Sequence, residues 1–360
     1  MAFIVTATEL RQNLSECLEL AASGEEILIT KSGYPTARLV PFEPSEAMGD
    51  MTADLADLIP DGERMPEGLV GPSSNMEKIM NDVGKFLEEQ NFASIDDANA
   101  YLENMMASET LPKFAPSTPL EEAQDLIYQA WEEPRRKARV KLAKRALKIS
   151  PDCADAYVLL AEDDARSLGK AMSFFQKGTA AGERALGAEF DEYIGHFWGV
   201  NETRPYMRAR FGLANCLWAM GQENDAIDHY REMLHLNPGD NQGIRYVLLT
   251  CLMGMKNEAE IDALLAEYED DASATWTYNR ALHRFRGHGA SSEANRSLSE
   301  AHEWNPHVPD YLLGRLKIPR QLPDYIGIGD ESEAMVYAAE HRNMWQSEPG
   351  ALAWLEEQVG

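Results

Sequence analysis

Basic side chains are scarce in this sequence of 360 residues, in which 33 lysines and arginines stand against 60 aspartates and glutamates. Binding to nucleic acid depends largely on neutralising phosphates with lysine and arginine. The deficit argues against a nucleic-acid surface spread over the whole molecule, although a small basic face is compatible with it. Because 44% of the residues are hydrophobic, the chain can form two or three globular domains.

Cysteines and long apolar runs are also rare. The cysteines, Cys17, Cys153, Cys216 and Cys251, form no C-x-x-C pair, so we expect reduced, buried thiols. The first residues lack the basic and apolar regions of a signal peptide. No run of about 18 apolar residues is present, so no membrane span is expected. These absences predict a soluble, cytoplasmic protein.

Motifs for enzymatic or metal chemistry are missing. No His-x-x-x-His pair occurs and no cysteine lies beside a histidine, so no metal site is predicted. Phosphate-binding glycine loops, nucleophile elbows and kinase signatures are likewise absent. Adjacent carboxylates such as Asp163 and Asp164 do not face each other on a helix. We therefore predict no catalytic residues, no cofactor and no enzymatic activity.

The first 45 residues carry a compact β–α–β–β pattern. Phe3–Thr6 is a predicted strand, and Thr6–Glu9 fits the capping box that begins a helix. Gly24 suits the end of that helix. Glu26–Lys31 and Thr36–Phe42 are predicted strands joined by a turn. A unit this small requires a partner for stability.

This stretch resembles the N-terminal module of the Phd/YefM antitoxins. The matching runs are T-E-L-R-Q-N-L-S at 8–15, A-S-G-E-E-I-L-I-T-K-S-G at 22–33 and P-T-A-R-L-V-P at 35–41. The resemblance implies a module that dimerises, binds operator DNA and precedes a segment that wraps a toxin. It also implies that Arg11, Lys31 and Arg38 contact DNA phosphates. Ser32 replaces a residue that is often basic, so a module that only dimerises is the alternative.

Residues 46–73 are predicted to be an acidic, flexible linker, because glycine, proline and acidic residues are frequent there. Within it, residues 51–59 are either a tether or a toxin-binding amphipathic turn. A helix over Ser74–Glu89 and another after Ser94 predict a helical hairpin at 74–118.

Helical pairs are predicted from 119 to 306. Pro238 and Pro306 lie 68 residues apart, twice the 34-residue period of tetratricopeptide repeats. The clearest pair covers Met207–Asp240 and recurs before Pro306, with a weaker copy between them and earlier pairs at 120–150 and 153–187. An insertion at 188–204 separates the pair at 153–187 from the clearest pair. The resemblance to tetratricopeptide repeats implies a curved stack whose concave face binds a peptide or protein.

Aromatic, basic and amide side chains around the centre of the stack are candidates for that face, although several are expected to be core. The basic run Arg135–Lys148 holds eight lysines and arginines in fourteen residues. It is either a solvated helix face or a phosphate-binding patch. The candidates for partner binding are Tyr193, Trp198, Arg204, Tyr206, Arg208, Asn215, Trp218, Asn241 and Arg245.

Residues 307–360 are predicted to cap the stack. The runs N-P-H-V-P at 305–309 and G-D-E-S-E-A at 329–334 resemble the C-terminal part of the suppression-of-tumorigenicity-7 family. That family has no established enzymatic activity. We predict coil, then helices at 332–342 and 348–357, with Trp345 and Trp354 burying the apolar end.

The predicted fold is mainly α, a tetratricopeptide-like helical-repeat domain with a small N-terminal α+β (βαββ) antitoxin-like module. We expect a non-enzymatic, antitoxin-like repeat adaptor that forms a homodimer through residues 1–45. Its expected partners are operator DNA and a protein or peptide on the repeats, with a toxin as one candidate, and no membrane. The alternatives are a pure protein-interaction scaffold without a DNA role and a chaperone-like component of a toxin–antitoxin system.

Overall fold

The structure is a computed structural model that describes residues 3–6, 27–31, 34–39, 77–79, 81–82, 115–323 and 325–359. The chain divides into two compact units, Met1–Ala53 and Asp54–Gly360. The predicted linker at 46–73 and the predicted helix after Ser94 lie outside the described residues. Within them, the second unit is helical, so the chain is mainly α.

The first unit contains a three-stranded sheet of β1 (Phe3–Thr6), β2 (Ile27–Lys31) and β3 (Tyr34–Leu39) in that order. β1 pairs with β2 in parallel, which requires a crossover connection, and β2 pairs with β3 antiparallel. β3 begins ahead of the predicted Thr36, because Lys31 pairs with Tyr34 and only two residues form the turn. The helix predicted between β1 and β2 lies outside the described residues, so the complete βαββ module stays a prediction.

Between residues 115 and 359, the second unit is built mainly of helices, most of which pack against their neighbours in chain order. Two short 3-10 helices, Gly187–Tyr193 and Asn201–Thr203, occupy the predicted insertion before the central pair. The α-helices are α1 (Pro119–Glu132), α2 (Arg136–Ile149), α3 (Ala154–Asp163), α4 (Leu168–Leu186), α5 (Arg204–Ala219), α6 (Glu223–Leu236), α7 (Ile244–Met255), α8 (Glu258–Glu267), α9 (Ala274–His288), α10 (Ser292–Trp304), α11 (Val308–Leu312), α12 (Glu331–Ser347) and α13 (Ala351–Val359).

Several helices begin at residues whose side chains accept backbone hydrogen bonds. A side-chain oxygen before the first turn satisfies amide groups that have no partner within the helix. At the start of α12, Asp330 accepts from the amides of Ser332 and Glu333. The other helices with such a cap are α1, α4, α9 and α10, capped by Thr118, Ser167, Ser273 and Ser291.

The core runs through the helical pairs and into the C-terminal helices. Trp345 is fully buried on α12, and its ring stacks on that of Trp354 of α13 at 6.2 Å between centroids. The ring of Trp354 also stacks on that of Phe285 of α9 at 4.5 Å. The prediction that both tryptophans are buried is therefore confirmed. Cys153, which precedes α3, is buried, as are Cys216 of α5 and Cys251 of α7.

Small residues allow α4 and α5 to pack closely. A Cβ atom at Gly212 of α5 would lie 2.2 Å from the ring of Phe175, which is itself buried on α4. Gly212→Ala is therefore expected to lower the free energy of unfolding by about 1–3 kcal/mol through overpacking. Urea unfolding monitored by circular dichroism measures it.

Gly254→Ala is the matched control for that prediction. Gly254 also lies within a helix, α7, and an added Cβ atom there meets no heavy atom within 4 Å. Alanine is a better helix former than glycine, so this variant is expected to gain about 0.5–1 kcal/mol. Equal effects of the two substitutions would contradict the close approach of α4 and α5.

Candidate functional site

Polar side chains from the first helices of three successive pairs meet around one arginine. Gln124 and Tyr128 come from α1, Asp155 from α3, and Arg204 and Arg208 from α5. We call these five residues the Arg208 cluster. Hydrogen bonds and ion pairs connect residues of these three helices, which are far apart along the chain.

Arg208 holds two carboxylates at once. Its Nε and Nη2 atoms donate to the two oxygens of Asp155 at 2.8 and 2.6 Å. Its Nη1 and Nη2 atoms donate to the two oxygens of Glu77 at 3.0 and 3.1 Å. Paired, charge-assisted hydrogen bonds of this kind give both strength and geometric specificity. The side chains of Asp155 and Glu77 are 0% and 3% exposed, so this is a buried ion cluster.

The Glu77 segment, residues 77–79 and 81–82, is the helical part of the chain that supplies this second carboxylate. Lys78 places its Nζ atom 2.6 Å from Asp125 of α1. Asn81 donates to the hydroxyl of Tyr128 at 3.0 Å. The segment lies within the predicted helix Ser74–Glu89. It is bound to α1 and α5 by polar contacts that no local sequence pattern specifies.

Arg204 adds a second buried guanidinium beside Glu77. Its side chain is 7% exposed, and its Nε atom donates to the carbonyl of Trp198 at 2.9 Å. Its Nη1 atom lies 3.7 Å from Glu77 and makes no hydrogen bond within the part of the chain that the structure describes. The cluster therefore holds more donors than Glu77 satisfies.

Burial and charge set the protonation states in the cluster. Burial by itself lowers the pKa of Arg208, but Asp155 and Glu77 more than offset it, so the pKa is raised. Burial, followed by the charges of Glu77 and Asp155, raises the pKa of Tyr128. Burial and then Asp155 raise the pKa of the neighbouring Cys153 thiol to about 12. At neutral pH the guanidinium is charged and the thiol is protonated, so the cluster is suited to binding a carboxylate.

Three of the predicted partner-binding residues are buried, as was expected for several of the candidates. Trp198, Arg204 and Tyr206 are 5%, 6% and 1% exposed, so they do not form an open peptide surface. The ring of Tyr206 packs edge-on against Phe190 and Phe197 at 5.3 and 5.7 Å. Phe197 and Trp198 of the insertion share a core cluster with Tyr206 of α5, which is why these aromatic side chains are buried.

The remaining candidates lie in different places. Arg208 is at the centre of the cluster that carries its name. Arg245 lies in another ion cluster, where it contacts Asp240 at 3.0 Å and Asp271 at 2.7 Å. Asn241 is exposed, whereas Tyr193, Asn215 and Trp218 are half-buried. Partner contacts by these residues stay a prediction.

The predicted DNA-contacting residues belong to the first unit. Lys31 ends β2 and pairs with Tyr34, and Arg38 on β3 pairs with Leu28. Arg11 lies outside the described residues. Contact of these three residues with DNA stays a prediction.

The predicted basic patch is partly neutralised. Arg136 and Arg139 of α2 lie 3.9 and 2.6 Å from Asp163, and Lys144 lies 2.7 Å from Asp164. These pairs connect α2 to α3 and to the residue that follows it. The exposed basic residues of the run are Arg135, Lys137, Lys141, Lys144, Arg145 and Lys148.

Sequence reasoning found Arg208 but missed its partners. Asp155 lies in the otherwise apolar run C-A-D-A-Y-V-L-L-A at 153–161. A carboxylate on a buried helix face must be paired, so this run was a usable signal. Nothing local indicated that Glu77, 131 residues before Arg208, is one of its partners.

Within the ranges that the structure describes, no group of three histidine, cysteine, aspartate or glutamate side chains could hold a metal ion. None of the helices in those ranges is both long enough and apolar enough to cross a membrane.

Comparison with known proteins finds two families. Residues 3–69 match the family model described as the Phd_YefM antitoxin of type II toxin–antitoxin systems. Residues 101–358 match the model described as ST7 protein. The resemblances to the Phd/YefM antitoxins and to the suppression-of-tumorigenicity-7 family are therefore confirmed. The ST7 match includes all the helices from α1 onward and thus the Arg208 cluster.

Individual relatives support the second match. The protein named suppressor of tumorigenicity 7 protein-like from Rattus norvegicus is 30% identical to this chain over 277 residues, which are 70% of this chain and 49% of that protein. The protein of that name from Gallus gallus is 30% identical over 252 residues, 63% of this chain and 45% of that protein. The protein named protein ST7 homolog from Drosophila melanogaster is 29% identical over 257 residues, which are 64% of this chain and 47% of that protein. The chain spans about half the length of these relatives. Because the ST7 model matches most of it, the chain belongs to the ST7 family.

Proposed function

We propose that this protein is a non-enzymatic adaptor that dimerises through residues 1–45, binds operator DNA there and captures a protein partner with its helical part. The observation that carries this proposal is the joining of an antitoxin-family match at 3–69 to an ST7-family match at 101–358 in one chain. Neither is a known enzyme family.

The first unit supports the dimerisation and DNA-binding half. Its sheet combines a parallel and an antiparallel pair, as a βαββ module requires. A single small sheet is marginal in stability unless it packs against a partner. Arg11, Lys31 and Arg38 are the residues proposed to neutralise operator phosphates.

The second unit supports the partner-binding half. Its helices follow one another as contacting pairs, which is the construction of tetratricopeptide-like stacks. In such stacks the first helices of successive pairs lie side by side and form a continuous binding face. Three first helices, α1, α3 and α5, contribute to the Arg208 cluster, so we propose that the partner is bound there.

DNA binding can be tested with labelled DNA from upstream of this gene, titrated with full-length protein and followed by fluorescence anisotropy. We expect binding that is tighter than to random DNA and that weakens as salt rises, because phosphate contacts release counterions. The double substitution Arg11→Ala/Lys31→Ala is expected to reduce the slope of the logarithm of the binding constant against the logarithm of the salt concentration by about two, because two phosphate contacts are lost.

Lys141→Ala/Lys148→Ala is the matched control, since it removes two exposed charges from α2 in the other unit. It should leave operator binding unchanged. Binding no tighter than to random DNA, or insensitivity to the Arg11 and Lys31 substitutions, would reduce the first module to a dimerisation device. The protein would then be a scaffold without a DNA role.

A further inference from the structure

We infer that the Arg208 cluster recognises a carboxylate on a helix of the partner protein, and that the Glu77 segment occupies this site as an internal competitor. The inference rests on the proposed function in one respect, namely that the helical part binds a protein. It adds the chemistry of the partner and the event that must precede binding.

Charge balance decides what can occupy the site. Arg204 and Arg208 supply two buried positive charges, and Asp155 and Glu77 supply two negative charges. If a partner covered this site in place of the Glu77 segment and supplied no carboxylate, one guanidinium would be buried beneath it without a counterion. An uncompensated buried charge is strongly unfavourable. A protein that displaces the segment must therefore bring a carboxylate of its own.

A donor atom of Arg204 that has no hydrogen-bond partner among the described residues is independent evidence that the site favours a carboxylate. This Nη1 atom is buried and makes no hydrogen bond to any described residue, yet it lies 3.7 Å from a Glu77 oxygen. A carboxylate placed slightly closer to Arg204 would satisfy this atom and keep its contacts with Arg208. Glu77 is thus an incomplete match, and a better ligand can compete with it.

The spacing of the contacts defines the rest of the ligand. Glu77 and Asn81 are four residues apart, so they lie on one face of a helix. Asn81 donates to the Tyr128 hydroxyl and accepts from Asn201 at 2.6 Å. The complementary partner is a helix with a carboxylate followed, one turn later, by an amide side chain.

The covalent link explains why the site is filled in the isolated chain. A segment tethered to its own site acts at an effective concentration in the millimolar range. The apparent affinity for an external helix then falls in proportion to the fraction of sites that are open. Weakening the internal contact should therefore strengthen binding of an external helix, whereas a merely structural contact predicts no such gain.

The test uses a fluorescent peptide of residues 73–90 of this chain as the probe, which contains the predicted helix Ser74–Glu89. It is titrated into the full-length protein and into full-length Glu77→Gln. Glutamine keeps the shape of glutamate but loses the charge-assisted hydrogen bonds to Arg208. We expect the peptide to bind Glu77→Gln at least about tenfold more tightly than the wild type, the factor that follows from one charged hydrogen bond.

Peptide variants test the charge preference without altering the protein. A peptide with Glu77→Gln is expected to bind at least about tenfold more weakly than the unaltered peptide. A peptide with Glu88→Gln has the same net charge as the Glu77→Gln peptide but keeps Glu77. It is therefore expected to bind like the unaltered peptide. Equal binding of the two variants overturns the inference, as does absence of binding to full-length Glu77→Gln that is folded by circular dichroism.

The operator titration separates this inference from the proposed function. DNA binding depends on residues 1–45 and is read out on a different ligand. Operator binding without charge-selective peptide binding overturns the inference and leaves the DNA-binding half standing. Charge-selective peptide binding without operator binding supports the inference and favours the alternative function, a protein-interaction scaffold without a DNA role.

Discussion

Replacing Arg208 with alanine is expected to lower the free energy of unfolding by about 3–5 kcal/mol, the usual cost of removing one partner from a buried ion cluster. Asp155 and Glu77 would lose their bidentate partner while staying away from water. Contact of the guanidinium with the ring of Trp131, now 5.1 Å from its centroid, would also be lost. Urea unfolding monitored by tryptophan fluorescence measures the change.

Arg296→Ala is the control for Arg208→Ala. The side chain of Arg296 is 81% exposed and pairs with Glu300 one turn along α10. Exposed pairs contribute little, so this variant should change stability by at most about 0.5 kcal/mol. If the two alanine variants were equally stable, Arg208 would not be the centre of a buried cluster. Combining Arg208→Ala with Asp155→Asn should recover part of the loss, because it removes one of the stranded charges.

Trp345→Ala is expected to destabilise the protein by about 3–5 kcal/mol, the range for deleting a fully buried aromatic side chain. Its indole Nε1 donates to the hydroxyl of Tyr337 at 2.8 Å, and its ring stacks on Trp354. Deletion would open a cavity where α12 and α13 meet and leave the Tyr337 hydroxyl without this donor. Thermal unfolding by differential scanning calorimetry measures the loss.

Trp304→Ala provides the matched comparison for the same residue type. Trp304 ends α10 and is 56% exposed, so its removal should cost about 0.5 kcal/mol or less. A small effect of both substitutions would mean that the C-terminal helices do not share the core of the stack. A larger effect of Trp304→Ala would contradict the burial pattern itself.

The helices were predictable from local chemistry, because apolar spacing and caps act over a few residues. The ranges 120–150, 153–187 and 207–240 each cover two of the observed helices, except that α1 begins one residue and α5 three residues before its range. The boundary of α12 was wrong: it continues to Ser347 instead of residue 342. The extra turn places Trp345 in the core beside Tyr278, a contact between distant parts of the chain.

The candidate site was only partly predictable. Arg208 was named from its residue type and its place near the centre of the repeats. Trp198 and Tyr206 were named on the same grounds and turned out to be core. Aromatic side chains suit both a binding face and a core, so composition cannot separate the two uses. Only the packing of the insertion before α5 decides which one applies.

By itself, the sequence determined the helical class of the second unit, the strand order along the first, membership of the ST7 family and the resemblance of the first residues to the Phd/YefM antitoxins, because these depend on short-range patterns and recognisable runs. The tertiary structure alone decided that Glu77 and Asp155 share one guanidinium. Ion pairing requires atoms within a few ångströms of each other, and that proximity arises only when residues 131 positions apart are packed together. Because these ion pairs are buried, we propose their site as the one that recognises a partner carboxylate.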